Sequence, residues 1–360
     1  MIDELRSYME RLFPLPRYLT GEPNRETLRI LREIVPLTMI EYPSGMQLYD
    51  KWVVPDEWQW GARPLPHEQI LGDDGRLDLS KHDGQFVKGG MTVGEYRLKG
   101  KYPQEYLVST YICHPSTAND NLSGMVLTAF LARELSKLEL NYSWRFIWVP
   151  ETIGAIAYLH ENEAEMQAID CGLVVTCVAG PGEIGWKMSF EPGHRLNNIV
   201  TTVVDTWAGG DTRYPYDTDG SDERQYSKPG FGINCCSIHS GKYYEYSQYH
   251  TKADDLSFIS YERMVRMRDI YLRVCLVMDL DLVYLNLQPM CEPKLGERGL
   301  YGDDTVDATL ALCQWADGTR PLSVIARDTG IGFDKLHGAA KRMVRLGLLK
   351  EGAVCKHTLR

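Results

Sequence analysis

Four side chains spread through a sequence of 360 residues have the types that hold and use a divalent cation. They are His114 and Asp120 in YICHPSTANDNLSG, Glu151 in WVPETIG and His250 in YEYSQYHTKADD. Imidazole nitrogen and carboxylate oxygen are the ligands of zinc sites that keep one position open for water. Zinc lowers the pKa of that water toward ~7, and a spare carboxylate within hydrogen-bond reach can take its proton and pass it to a leaving amine. Amide hydrolysis is the chemistry such a set performs. Each residue also has a plainer reading alone: His114 as a solvated loop ring, Asp120 as a helix cap, Glu151 as a charge favoured by a helix N-terminus, His250 as an ordinary loop histidine.

Whether the four act together depends on the elements that carry them. EYLVSTYIC, WRFIWVP, CGLVVTCVAG and GINCCSIHSG read as buried strands, separated by helical patterns in NLSGMVLTAFLARELSKL, TIGAIAYLHENEAEM and LNNIVTTVVDTWA. A long helix, SYERMVRMRDIYLRVCLVMDL, capped by Ser260, closes the series. Strands alternating with helices imply crossover connections and a mostly parallel sheet covered on both faces. Ligands of such sheets gather outside the carboxyl ends of the strands. His114 and Glu151 follow directly on two strands, Asp120 lies in the loop before a helix, and His250 lies in a tyrosine-rich loop after a third strand. The expected fold class is therefore α/β, a mostly parallel sheet flanked by helices.

The flanking regions read differently. MIDELRSYMERLFPLPRYLTG and GEPNRETLRILREIV are amphipathic helical patterns, the second with Asn24 as a candidate cap. Residues 46–103 alternate aromatic and polar residues between many glycines and prolines, the pattern of short antiparallel strands, and His67 and His82 fall there as loop residues. Beyond the Pro- and Gly-rich stretch NLQPMCEPKLGERGLYGDD come DATLALCQWADG, PLSVIARDTG and FDKLHGAAKRMVRLGLLK, the last two joined at Gly330 as a helix-turn-helix, with LGLLKEGA opening a wing. The expected division is 1–45 and 104–300 as the catalytic domain, 46–103 as a small β insertion, and 301–360 as a winged helix-turn-helix.

Composition narrows the classes further. A formal charge of -10 disfavours phosphate backbones and anionic membrane surfaces. Lys335, Lys341, Arg342, Arg345 and Lys350 make the last helix region basic, but Asp328, Asp334 and Glu351 dilute it. Docking or dimerisation is expected of this module in preference to DNA binding. The apolar run IYLRVCLVMDLDLVYLNL is broken by Arg273, Asp279 and Asp281, so a buried helix is expected and no membrane span. The amino terminus has no secretory pattern, and nine cysteines without a CxxC suit a reducing compartment, so the expected location is cytoplasmic.

ANDNLSG resembles the bridging-aspartate motif of the zinc aminopeptidases that include bacterial leucyl aminopeptidase and glutamate carboxypeptidase. PETIGAIAYL resembles that clan's Glu-Glu-x-Gly segment, DGSDERQY its Ser-Asp-His segment and YHTKADD its closing His-Thr motif. Together the motifs look most like a bacterial aminopeptidase-like family that ends in a winged helix, and the similarity covers most of residues 104–350. The resemblance implies that His114, Asp120 and His250 bind zinc and that Glu151 is the general base. It also exposes two departures: Thr152 stands where the clan has a second glutamate ligand, and Cys177 where it has a later aspartate. One or two zinc ions are then open. Cys177 could ligate as a thiolate, and Asp222, Glu223 and Glu245 are carboxylates that could compensate as metal or substrate ligands, Glu223 and Glu245 by holding a substrate α-ammonium. The shortened β insertion, which stands where that family has a cap over the active site, suggests an open cleft. The expected function is zinc-dependent hydrolysis of an amide next to a free amino group, in a peptide or an aminoacylated biosynthetic intermediate. The alternative is an inactive, aminopeptidase-like binding or regulatory protein.

Overall fold

The structure is a computed structural model that describes residues 1–60, 84–115, 117–208, 212–301 and 304–356. His67 and His82 lie outside the described residues. Two amino-terminal helices, α1 (Ile2–Leu12) and α2 (Glu22–Leu31), precede β1 (Thr38–Pro43), β2 (Glu57–Trp60), β3 (Gly84–Val87) and β4 (Gly90–Leu98). Then come β5 (Glu105–Tyr111), α3 (Gly124–Leu135), β6 (Ser143–Val149), α4 (Ile153–Glu161), α5 (Glu163–Ala168) and β7 (Cys171–Val174). The series continues through β8 (Ile184–Lys187), α6 (Arg195–Trp207), β9 (Thr212–Tyr214), α7 (Glu223–Tyr226), β10 (Asn234–Ser240) and α8 (Tyr261–Leu280).

Eight strands form one sheet in the order β1-β4-β6-β5-β7-β10-β8-β9. The central four, β6-β5-β7-β10, are parallel, and β1, β4 and β8 pair antiparallel with their inner neighbours. β5 and β6 are nearly continuous apolar runs because both faces are buried: Val108, Phe146 and Trp148 enter one core, Leu107, Ile147 and Val149 the other. The first core is covered by α1, α2, α3, α6 and α8, the second by α4, α5 and α7. No helix among the described residues is long and apolar enough to cross a membrane.

Three features differ from what the pattern suggests. Residues 46–103 do not form a separate insertion throughout, since β4 enters the main sheet between β1 and β6 while β2 and β3 make a separate two-stranded sheet. Asn24 is not the cap of α2; Gly21 holds that position, and the buried Asn24 amide instead bonds the main chain of Tyr18 on both sides. The third concerns the carboxyl-terminal module, where β11 (Val283–Asn286) is the middle strand of a sheet with β12 (Asp317–Pro321) and β13 (Leu349–Gly352). That strand begins directly after α8 and ends at Asn286, where the linker starts, so the module begins before residue 301.

The same module carries α9 (Val306–Trp315), α10 (Leu322–Thr329) and α11 (Phe333–Arg345), and it is locked to the main domain. Asp281, fully buried, accepts from Arg195 Nη1 at 2.8 Å and from the Ser323 amide and hydroxyl at 2.7 and 2.8 Å. Arg195 also holds Asp170 at 2.9 Å. At the surface, Arg273 of α8 pairs with Asp334 at the start of α11. Ser323 at the start of α10 and Asp334 at the start of α11 are thus bonded to the main domain.

Candidate metal centre

The carboxyl ends of β5, β6, β7 and β10 converge, and each leads into a candidate residue. After β5 the chain runs through Ile112 and Cys113 to His114, then turns through the buried Ala118–Ser123 segment that carries Asp120. The Asn119 and Asp120 amides both donate to the Asp254 carboxylate, at 2.7 and 3.0 Å, which fixes the turn. Tyr111 donates its hydroxyl to Asp120 Oδ1. Asp120 Oδ2 then faces His250 Nε2 at 3.0 Å, and the His114 and His250 rings lie 5.0 Å apart.

His114, Asp120 and His250 offer ligand atoms that all lie within 4.8 Å of one another. The fit to a cation rests on two orphaned atoms: Asp120 Oδ2 and His250 Nε2 are close, yet both are buried without a hydrogen-bond partner. Two atoms that approach without bonding one another are aimed at a common point. Tetrahedral ligands about 2.0–2.1 Å from zinc would stand about 3.3 Å apart, close to the spacing found here. Burial disfavours the charge on Asp120, but His250 and His114 outweigh it and hold the carboxyl below its usual value. His250 is in turn raised, burial being overcome by Asp120.

Glu151 follows β6 and places Oε2 3.9 Å from His114 Nε2. Burial pushes its carboxyl up, against the pull of His114, with Asp120 pushing the same way as burial. A carboxylate raised in this manner is closer to the range in which it can both take and return a proton. Its amide donates to Cys113 Sγ at 3.1 Å, and Cys113, His114 and Glu151 form a second group of potential ligands.

The remaining candidates are distributed around this centre. The Thr152 amide donates to Asp222 Oδ1 at 2.7 Å, and its hydroxyl accepts from Arg224 Nη2 at 3.3 Å. Asp222 is thus buried behind the Glu151–Thr152 turn, where burial and Glu151 push its carboxyl well up. Cys177 Sγ lies 4.0 Å from Asp120 Oδ1, outside the three-ligand group, and burial pushes its thiol well up. Glu223 is buried against Lys187 Nζ at 3.1 Å and the Tyr243 hydroxyl at 3.3 Å. Glu245 is exposed, with Tyr214 on one oxygen and Lys242 on the other. Neither of the last two is brought to the imidazoles.

Sequence reasoning missed Cys113 and Asp254. Cys113 adjoins His114 but reads as an apolar strand residue, whereas Asp254 was visible as the first acid of the ADD that follows His250. Buried at 0% exposure, Asp254 is pushed up to about 7 by desolvation, opposed by the two amides it accepts. A third signal is conformational. Of six non-glycine residues at positive φ among the described residues, five belong to this region: His114, Thr152, Cys177, Tyr244 and His250. Left-handed backbone costs such residues free energy and persists where surrounding structure imposes it. Tyr249 stacks on His250 at 3.9 Å, and the exposed Tyr244 meets Tyr249 at 4.8 Å and His250 at 6.5 Å.

A sheet of this order, with histidine, aspartate and glutamate at its carboxyl edge and a winged helix behind it, defines an aminopeptidase-like α/β protein. Residues 6–281 match the family model described as Domain of unknown function (DUF4910), and residues 282–351 match a winged helix-turn-helix model. The chain belongs to that family. It is 31% identical, over 96% of both chains, to a protein of Clostridium acetobutylicum named provisionally as a polysaccharide biosynthesis protein with an aminopeptidase-like domain. A crystal structure from the same organism, described provisionally as a peptidase, matches with a TM-score of 0.85 at 31% identity, covering 98% of this chain and 96% of that one. The zinc aminopeptidase BSAP of Bacillus subtilis shares the fold, with a TM-score of 0.57 at 14% identity over 76% of this chain and 94% of its own.

Proposed function

We propose that the chain is a zinc-dependent amide hydrolase of aminopeptidase type, with one metal position held by His114, Asp120 and His250. The observation that carries this reading is the convergence of Asp120 Oδ2 and His250 Nε2, 3.0 Å apart and unbonded, beside a glutamate that has no ligand role in that trio. Zinc bound there would act as a Lewis acid and bring a water into the range of ionisation near neutrality. Glu151, next to His114, takes the proton of the attacking water and returns it to the leaving amine. Tyr111 and Asp254 hold Asp120 in place from behind, as outer partners orient ligands elsewhere. A single ion is supported by the arrangement at the two departures: Thr152 presents a hydroxyl to Arg224, and Cys177 Sγ lies outside the three-ligand group.

The substrate on this reading is an amide beside a free amino group, in a peptide or in an aminoacylated biosynthetic intermediate, and the relative's name, which joins polysaccharide biosynthesis to an aminopeptidase-like domain, supports it. The competing reading, a binding protein without turnover, draws on the same two departures. The test is metal content by mass spectrometry together with hydrolysis of aminoacyl amides. About one zinc per chain, with Glu151→Gln keeping the metal and losing ~10²–10⁴ in rate, is the expected result. A chain that takes up no zinc, or a Glu151→Gln variant as fast as the parent, would remove the proposal.

A further inference from the structure

Arg224 has no part in the hydrolytic scheme, yet it stands beside it. It belongs to the four-residue α7 and is half-buried, with Nη2 donating to Thr152 Oγ1 at 3.3 Å. Its Nε is buried and makes no hydrogen bond, and among the described residues no carboxylate lies within ion-pair distance of it. Its charge nevertheless reaches the acids of the cleft, drawing both Glu151 and Asp222 downward against their burial.

A guanidinium cannot shed its proton, so this cation persists at any working pH. Half-buried, it needs acceptors, and one threonine oxygen is a small share of what five N–H donors can use. None of the neighbouring acids bonds it: Asp120 accepts from Tyr111, and Asp222 gives one oxygen to the Thr152 amide while its other oxygen is buried without a partner. Thr152, at φ 63 and pinned by Asp222, holds the guanidinium from one side. An acceptor from outside the chain can complete its bonding, and the planar fork of arginine matches a carboxylate bidentately.

We infer that Arg224 binds a carboxylate of the substrate. This deepens the proposed function, on which it rests for the identity of the cleft. The substrate class becomes an amide with a free carboxylate within about one residue of the scissile bond, as in a dipeptide or an amide of an amino acid. An internal peptide bond of a long chain lacks that group. Arg224 is then a specificity residue, separate from the zinc ligands and from Glu151.

The experiment is calorimetric titration of the zinc-loaded full chain carrying Glu151→Gln, which does not consume ligand, with L-alanyl-L-alanine and with its carboxyl-terminal amide. The acid should bind about tenfold more tightly than the amide. Adding Arg224→Gln should reduce the preference to less than about twofold and Arg224→Lys should restore part of it, with zinc content and melting temperature unchanged. Equal binding of acid and amide, binding of neither, or a preference that survives Arg224→Gln overturns the inference. Hydrolysis by the parent chain is read separately. Carboxylate-selective binding without hydrolysis keeps this inference and removes the enzyme, whereas hydrolysis indifferent to the carboxylate does the reverse.

Discussion

His239 gives the sharpest test of the electrostatics. It projects from β10 into a fully buried position between the edges of Tyr214 and Tyr243, each ring 5.6 Å away, and neither of its nitrogens has a partner. Burial, reinforced by Lys242 and Lys187, pulls its pKa from 6.5 down to about 3. The unfolded chain therefore binds a proton between those two values while the folded chain does not. Stability is fully present above the unfolded pKa and is lost as the pH falls toward the folded one. Between pH 7.5 and pH 5 the loss should be about 2 kcal/mol, rising to about 4 kcal/mol near pH 3. The assay is urea denaturation of the parent and of His239→Phe at pH 7.5 and pH 5. Other groups titrate in both proteins, so the difference between the two slopes isolates His239. If His239→Phe loses as much stability over that interval as the parent, the imidazole is already solvated or paired and the reasoning fails.

Two further outcomes are expected. Asp281→Ala strands the Arg195 guanidinium and the Ser323 amide at the joint with the winged helix, and should cost about 3–5 kcal/mol by denaturation. Limited proteolysis of that variant should release the segment after α8, and an undiminished melting temperature would show that the buried contact contributes little. Asp254→Asn leaves only one anchoring oxygen beneath the Asp120 turn, and zinc affinity measured by competition with a chelator should fall about 10–100-fold. An unchanged affinity would mean that the turn holds itself.

The parts of the molecule legible in the sequence are those with a period or a border. β5, β6 and the helices α3, α4, α6 and α8 stand out because burial on two faces, or on one stripe, imposes apolar runs of set length. His114 and Glu151 stand out because they begin directly where such runs end. β4 was hidden because a strand pairing antiparallel at the side of the sheet carries glycines and mixed polarity, the same texture as the small two-stranded sheet before it. Asn24 misled because its amide bonds the Tyr18 main chain in both directions, a use that depends on how the loop before α2 folds back. Arg224 and Asp254 could be seen as charges, but not as partners: their roles depend on Thr152 and on the Asp120 turn, both distant in sequence. The joint at Asp281 looked like an interruption of an apolar run, when it is the polar pin between two domains.

The left-handed residues of the cleft have a consequence for how this protein could change. His114, Thr152, Cys177, Tyr244 and His250 each hold a backbone conformation that costs roughly 1–3 kcal/mol in a residue with a β-carbon. A laboratory population grown under rising heat should therefore find its easiest gains here, as glycine or asparagine at Thr152, Cys177 and Tyr244. Those same replacements would slacken the rim of the cleft, so that lineages gaining endurance this way would give up turnover, while lineages kept under selection for turnover would retain the tension.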